Sequence, residues 1–279
     1  MNAPLDTALR PFVLSEARDG IATLTLNRGD RFNPLSQAMI AALQVELDRI
    51  ALDDAVRVVV IAGSGKGFCA GHDLKELRER AAPSRSPQTD SAKGSGSTRK
   101  QEVFDACSNM MLTLTTMPQP VIARVHGIAT AAGCQLVSMC DLAVAAENAR
   151  FSLPGVNIGV FCTTPAVGVV RNIGRKRAME MLLTGEMISA QTALDWGLIN
   201  KVVPETELDA AIAYFAGIIR NRSATVVALG KRAFYGQIDR DIEGAYSLSG
   251  GAMADNLLEP DAEEGIDAFL GKRAPKWGG

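Results

Sequence analysis

Only two histidines, His72 and His126, occur in this chain of 279 residues. Neither sits in a ligand-spaced cluster with the five cysteines, Cys69, Cys107, Cys134, Cys140 and Cys162, and no CxxC pair is present, so a metal site is not expected. An odd cysteine count without a framework predicts reduced thiols, and with them a cytoplasmic location. No run approaches the roughly 20 apolar residues of a membrane span. The first twenty residues show no apolar core flanked by basic residues, so no secretory signal is expected. The net charge is −2, with both signs interspersed, which argues against a nucleic-acid partner. One long stretch carries no carboxylate: from Gly155 through VNIGVFCTTPAVGVV there is no acid.

What is present predicts a layered α/β protein. A 47% hydrophobic fraction in a chain of this length supports one sizeable core. Phe12 to Arg18 and Ile21 to Leu26 are β-prone runs joined by Asp19-Gly20, a hairpin signal. Ser36 offers an N-cap to a helix whose apolar face is Met39, Ile40, Leu43, Leu47 and Ile50. The run Val56 to Ala62 is nearly all β-branched, as in a strand buried on both faces. Ala81 to Lys100, rich in Ser, Gly and Pro, reads as a surface loop, followed by a helix from about Glu102 to Thr116. Strands follow at Val121 to Val125 and Leu142 to Ala146; Ser189 and Gly197 bound a short helix before the strand Lys201 to Val203. The rest is helical, which divides the chain into a core over 1–204 and a C-terminal helical region over 205–279.

Several segments then occur in order: NRGDRFNPLS, GFCAGHDLKEL, HGIATAAGCQLVSMCDLAVA, FSLPGVNIG, TGEMISAQTALDWGLINKVVP and FLGKRAPKW. Together they resemble the crotonase superfamily, the enoyl-CoA hydratase/isomerase family. The stretches AGHDLKEL, AAGCQL and PGVNIGVFCTTP carry a narrower likeness to its enoyl-CoA hydratase domain-containing group. The resemblance implies the crotonase (ClpP-like) fold, a spiral of β-β-α repeats forming two nearly perpendicular sheets. It also implies a C-terminal helical region that builds trimers or dimers of trimers. The ligand implied is an acyl-CoA thioester, as in fatty acid metabolism, with coenzyme A entering as part of the substrate and no separate cofactor.

By the same resemblance, the N–H groups of His72 and Ala132 form an oxyanion hole for the thioester oxygen. Losing one such donor typically costs about 10²–10³ in rate. Slender neighbours, Gly71 and the run Ala131-Ala132-Gly133, suit backbone donors, although the same residues also permit tight helix–strand packing. The family's two catalytic glutamates map to Gln135 and Gly155, twenty residues apart. Gln cannot take a proton from water and Gly has no side chain, so hydration is expected to be weak or absent. Installing Glu at both positions is expected to raise it if the scaffold is intact.

The CoA moiety is assigned to Phe68, Ala70, Asp73 and Leu74, largely through backbone, with Arg31 toward the phosphates and Lys272 reaching in from another subunit. Arg28, Lys75 and Arg273 are lesser basic candidates. The imidazole of His72 could act as acid or base, though its family role is its main chain. His126 fits a hydrogen-bonded structural role, and Cys162 is a nucleophile only if its pKa is lowered. GSGKG (63–67) lacks phosphate-loop spacing. Three functions stay open: an acyl-CoA enzyme of the hydratase (lyase) or isomerase type or one that cleaves the thioester, a non-catalytic acyl-CoA binder, and a structural oligomer with a vestigial site.

Overall fold

The computed structural model describes residues 10–79 and 92–278. Strands β1 (Val13–Arg18) and β2 (Ile21–Leu26) pair antiparallel, Val13 opposite Leu26. Their turn residues Asp19 and Gly20 both take positive φ, 51° and 75°, as the mirror-image turn of a tight hairpin requires. Helix α1 (Gln37–Ala51) begins where Ser36 Oγ accepts the Met39 N–H at 3.2 Å, and its five apolar positions are all buried.

Strand β3 (Val58–Gly63) is buried along its whole length. Val59 and Ile61 face the larger apolar cluster, which α1 shares; Val58 and Val60 face a second cluster on the other side of the sheet. Period-two alternation thus fills two cores from one strand. After β3 come α2 (Leu74–Glu79), α3 (Ala92–Thr116), β4 (Val121–Val125), β5 (Ile128–Thr130), α4 (Ala132–Met139), β6 (Leu142–Ala146) and β7 (Arg150–Ser152). Then follow α5 (Thr163–Asn172), α6 (Arg175–Thr184), β8 (Ile188–Ser189), α7 (Ala190–Trp196) and β9 (Lys201–Val203). The six-stranded sheet has the order β1-β2-β3-β4-β6-β9 and is parallel beyond the hairpin; β5-β7-β8 form a second, smaller sheet.

The expected loop Ala81 to Lys100 needs correction. Its first part, through residue 91, lies outside the described residues, but α3 is already helical at Ala92, ahead of the expected Glu102. Val103, Cys107, Met110, Met111 and Leu114 anchor the helix in the core. Helix growth from that packed segment outweighs the poor propensity of the Gly and Ser residues before it.

Beyond β9 the chain forms α8 (Leu208–Arg220), α9 (Ala224–Gln237), α10 (Ile242–Leu257) and α11 (Pro260–Leu270). Helix α8 covers the second cluster with Leu208, Ala211, Ile212 and Ala216. Helix α9 is held differently. Lys231 Nζ donates to Leu114 O at 2.7 Å, Gln119 O at 2.8 Å and Asp141 Oδ2 at 2.7 Å. Asp141 also accepts the Tyr235 hydroxyl at 2.9 Å and the Val121 N–H at 2.7 Å. Burial pulls the Lys231 pKa down and Asp141 opposes it. One buried cation therefore ties α9 to the end of α3, the start of β4 and the turn between α4 and β6. Lys231→Met strands the Asp141 charge with two neutral donors. It is expected to lower unfolding stability by about 3 kcal/mol in urea titration. A loss under about 0.5 kcal/mol would show that the pair contributes nothing.

Candidate active site

Three stretches far apart in sequence are zipped together by main-chain hydrogen bonds. Cys69 forms a parallel bridge with Ala129 of β5, and Leu35 forms one with His72. Asn33, fully buried with φ of 51°, locks the first stretch down: its Nδ2 donates to the Ser64, Gly67 and Phe68 carbonyls, and its Oδ1 accepts the Arg28 N–H.

In the Leu35 bridge, the Leu35 N–H donates to Gly71 O at 2.8 Å, and the Leu35 carbonyl accepts the Asp73 N–H at 3.4 Å. A parallel bridge uses the residues on either side of His72, so the N–H of His72 itself points away from Leu35. It has no hydrogen-bond partner among the described residues. The same is true of the Ala132 N–H, in the first turn of α4, where helix geometry leaves donors open and concentrates partial positive charge. Gly71, at φ 89°, brings the two segments together. A Cβ there would lie 2.9 Å from Ala131 Cβ and 3.2 Å from Ala132 N. At the next residue, a Cβ on Gly133 would overlap the Cys69 carbonyl.

The alanines do not behave alike. Ala132 is helical and fully buried, whereas Ala131 carries φ 49° and ψ −120°, a conformation glycine adopts freely and an L-residue resists.

Beside these amides lies a mainly apolar cavity of about 580 Å³. Ala70, His72, Leu74 and Gly155 of the expected site residues line it, as does Ala131. Leu77, Phe104, Ile158, Val160 and Phe161 complete the apolar wall, and Asn157, Cys162, Thr163 and Thr164 supply polar atoms. Among the described residues, no Asp or Glu lines it. Phe104 was missed at the sequence level; its place on a helix gave no signal that it lines a cavity.

The remaining expected residues stand elsewhere. Phe68 is fully buried, and its N–H and carbonyl are engaged by His126 O and Asn33 Nδ2. Asp73 turns its carboxylate back on the Lys75 N–H, at the start of α2. Arg31 is exposed on the short turn Gly29–Arg31, and Lys272 is exposed after α11; neither lines the cavity within one chain. Gln135 is buried inside α4 and does not line the cavity; its Oε1 makes no hydrogen bond.

The position of Gly155 holds more than a missing side chain. Its N–H donates to Cys162 Sγ at 3.3 Å and its carbonyl accepts the Val160 N–H at 2.9 Å. A Cβ at 155 would overlap the Val160 carbonyl and come within 2.8 Å of Cys162 Sγ. A glutamate at 155 would therefore meet backbone already packed into the space that its Cβ needs.

Two cavity groups titrate. Burial raises the Cys162 thiol, with the Gly155 N–H partly countering it, so a nucleophilic thiolate is disfavoured. Burial pulls His72 from 6.5 down to about 4, keeping the ring neutral at physiological pH. His126, in contrast, pairs its Nε2 with Gly65 O at 2.9 Å, the structural role expected of it.

With this geometry, the family follows. Residues 16–279 match the family described as enoyl-CoA hydratase/isomerase, and the chain belongs to it. Over 260 residues it is 46% identical to the mitochondrial enoyl-CoA hydratase domain-containing protein 3 of Mus musculus, covering 93% of this chain and 82% of the mouse protein. The crystal structure of the human protein 3 superposes with a TM-score of 0.87 at 45% identity, covering 96% of this chain and 100% of that one. That of an enoyl-CoA hydratase from Mycobacterium smegmatis gives 0.89 at 50%, covering 96% and 99%. The crotonase fold and the narrower likeness expected from the motifs are both borne out. The cytoplasmic location is not: the mouse, rat and human relatives are mitochondrial proteins. Reduced buried thiols report a reducing compartment, which does not separate the cytosol from an organelle's interior. Among the described residues, no helix is long and apolar enough to cross a membrane.

Because Ala131 holds a glycine conformation, Ala131→Gly relieves strain of about 1–3 kcal/mol, offset by about 0.5–1 kcal/mol of added chain freedom when unfolded. A net gain of about 1 kcal/mol is expected as a higher urea midpoint; a lower midpoint would contradict the strain.

Proposed function

We propose that this chain binds an acyl-CoA thioester with its acyl group in the 580 Å³ cavity, and that the N–H groups of His72 and Ala132 receive the thioester oxygen. The observation that carries this is the pair of unengaged main-chain donors, held at close range by Gly71, with His72 and Ala131 lining the apolar cavity. Such donors stabilise negative charge on a carbonyl oxygen without proton transfer. Family membership supports the ligand class, and relatives such as the 2,3-dehydroadipyl-CoA hydratase of Escherichia coli, 33% identical, are CoA-ester enzymes by name.

Hydration is the reaction this site supports least. Water addition needs a group to take a proton from water at C3, a contribution of about 10²–10⁴. The acid-free wall and the closed backbone at Gly155 argue against one. The conclusion is an acyl-CoA protein with a polarising site and little hydratase activity, in place of a typical hydratase. Purified protein is expected to bind hexanoyl-CoA by calorimetry and to hydrate crotonyl-CoA at least about 100-fold more slowly than a glutamate-bearing relative. Gly155→Glu is expected to leave that rate unraised and to lower stability. Ordinary hydration by the unaltered chain would overturn this reading, and so would absent binding.

Assembly into trimers, or dimers of trimers, is part of the same proposal, and Lys272 would then reach a neighbouring cavity. Ile242 and Tyr246 on α10, Leu258, and Phe269 and Leu270 on α11 are each more than 70% exposed in the single chain, more apolar surface than a lone helical region leaves bare. Light scattering is expected to give three or six times the chain mass; a monomer would refute this part alone.

A further inference from the structure

We propose that Asn33 is a positioning residue for this site: its side chain sets the aim of the His72 main-chain N–H, and with it the preference of the chain for a thioester over a CoA derivative without a carbonyl. The inference rests on the acyl-CoA reading above and adds the side chain that holds one of the two donors in place.

Asn33 does not line the cavity. It is fully buried at φ 51°, a left-handed conformation that asparagine tolerates better than most residues. Its Nδ2 donates to the Ser64 carbonyl at 2.9 Å, the Gly67 carbonyl at 2.9 Å and the Phe68 carbonyl at 3.1 Å. Its Oδ1 accepts the Arg28 N–H at 2.8 Å. Ser64 adds a second tie, because its Oγ accepts the Gly29 N–H at 3.1 Å. One side chain thus joins residues 28–33 to residues 64–68, and removing it leaves buried carbonyls unpaired.

That joint reaches His72 through the main chain. Residues 64–73 run from the end of β3 to the start of α2 with only single bridges at Cys69 and His72. Their path is set by individual contacts, not by a ladder. Beyond Asn33 these are the Ala70 N–H to Phe32 O at 2.9 Å and the Leu35 N–H to Gly71 O at 2.8 Å. Phe32 and Leu35 flank Asn33 closely, and Pro34 between Asn33 and Leu35 has a fixed φ, so a slip at Asn33 passes to both bonds.

The Gly71 carbonyl and the His72 N–H are two ends of one peptide group. No peptide bond in the described chain is cis, so the two ends point in opposite directions. Holding the carbonyl on Leu35 therefore turns the N–H the other way, to the side where Ala132 approaches Gly71. The Ala132 N–H has its own support in the first turn of α4, so Asn33 governs one donor and not both.

The test compares hexanoyl-CoA with S-hexyl-CoA, which carries CH2 in place of the C=O, by calorimetry. The unaltered chain is expected to favour the thioester about 10-fold, the worth of two neutral hydrogen bonds. Asn33→Gly keeps the backbone conformation and removes the amide. It should cut that preference to about 3-fold or less, one hydrogen bond's share, with S-hexyl-CoA bound about as well as before. The C=O stretch of bound, isotope-labelled hexanoyl-CoA, lowered in the unaltered chain by the two donors, should move back toward its value in water. Ser64→Ala loosens the same joint at Gly29 and should reduce the preference partway. Ser189→Ala removes the N-cap of α7, outside the cavity; it should lower stability and leave the preference unchanged. An undiminished preference in Asn33→Gly, or in Ser64→Ala where the first variant does not fold, would overturn the proposal. An equal fall in Ser189→Ala would do the same, because it would mark general loosening. Failure of the unaltered chain to bind hexanoyl-CoA, or equal affinity for the two ligands, would instead sink the reading above, and this inference with it.

Discussion

Two backbone segments separated by some sixty residues touch with no room for an extra carbon atom, and the site follows from that contact. A Cβ on Gly71 would press on Ala131, and one on Gly133 would overlap the Cys69 carbonyl. Interiors are packed as densely as crystals, so such contacts fix positions to fractions of an ångström. Two amides can be aimed at one point only if the segments carrying them cannot slide. The bridge to Leu35 removes one direction of slip for His72, and the Ala131 N–H bonded to Ser152 O at 2.9 Å removes another for α4. The cost surfaces at Ala131, which adopts a dihedral pair that its side chain resists. Strain held by its surroundings is often found where geometry serves chemistry.

Desolvation, more than charge pairing, sets the proton chemistry around those amides. Burial drives both titratable groups in the cavity toward their neutral forms, the thiol upward and the imidazole downward. For a cysteine this is inactivating, since the thiolate is the nucleophile. The same apolar wall thus keeps both groups uncharged. The turn at Gly155 belongs to this logic. By folding back, the chain packs Val160 and Cys162 into the space that a side chain at 155 would need, and both residues line the cavity.

Local patterns were legible in the sequence because their causes are local. Asp19-Gly20 forms the hairpin turn it announces, Ser36 and Ser189 cap the helices they precede, and the β-branched run becomes a strand with a core on each face. The small residues around 71 and 131–133 declared a close approach, and motif order declared the fold. What failed to show was set by distant partners. Helix α3 starts early because its far end is packed, not because its first turns favour helix. Gly155 looked like a missing side chain, whereas the fold packs the Val160 carbonyl into the space a Cβ would need, and no spacing rule encodes that. Phe104 and Lys231 looked like ordinary helix residues; only the fold shows that one faces an apolar cavity and the other a buried carboxylate.

Lys231 bears on the site through α4. That helix spans eight residues, Ala132 to Met139, and Asp141 lies just past its C-terminus. The first turn of α4 is held by Gly133 against Cys69, and its far end by Asp141 in the grip of Lys231, Tyr235 and the Val121 N–H. A helix this short has little stability of its own, because the nucleation cost is spread over few residues. Its orientation is therefore dictated by its two ends, one made of steric contact and the other of charge. Steric contact tolerates no displacement but exerts no pull; a buried ion pair pulls but tolerates small shifts. Together they hold the Ala132 amide in place from both sides, and they do so by recruiting α9 from the C-terminal helices. The C-terminal helices are in this way coupled to the first turn of α4 through one buried lysine.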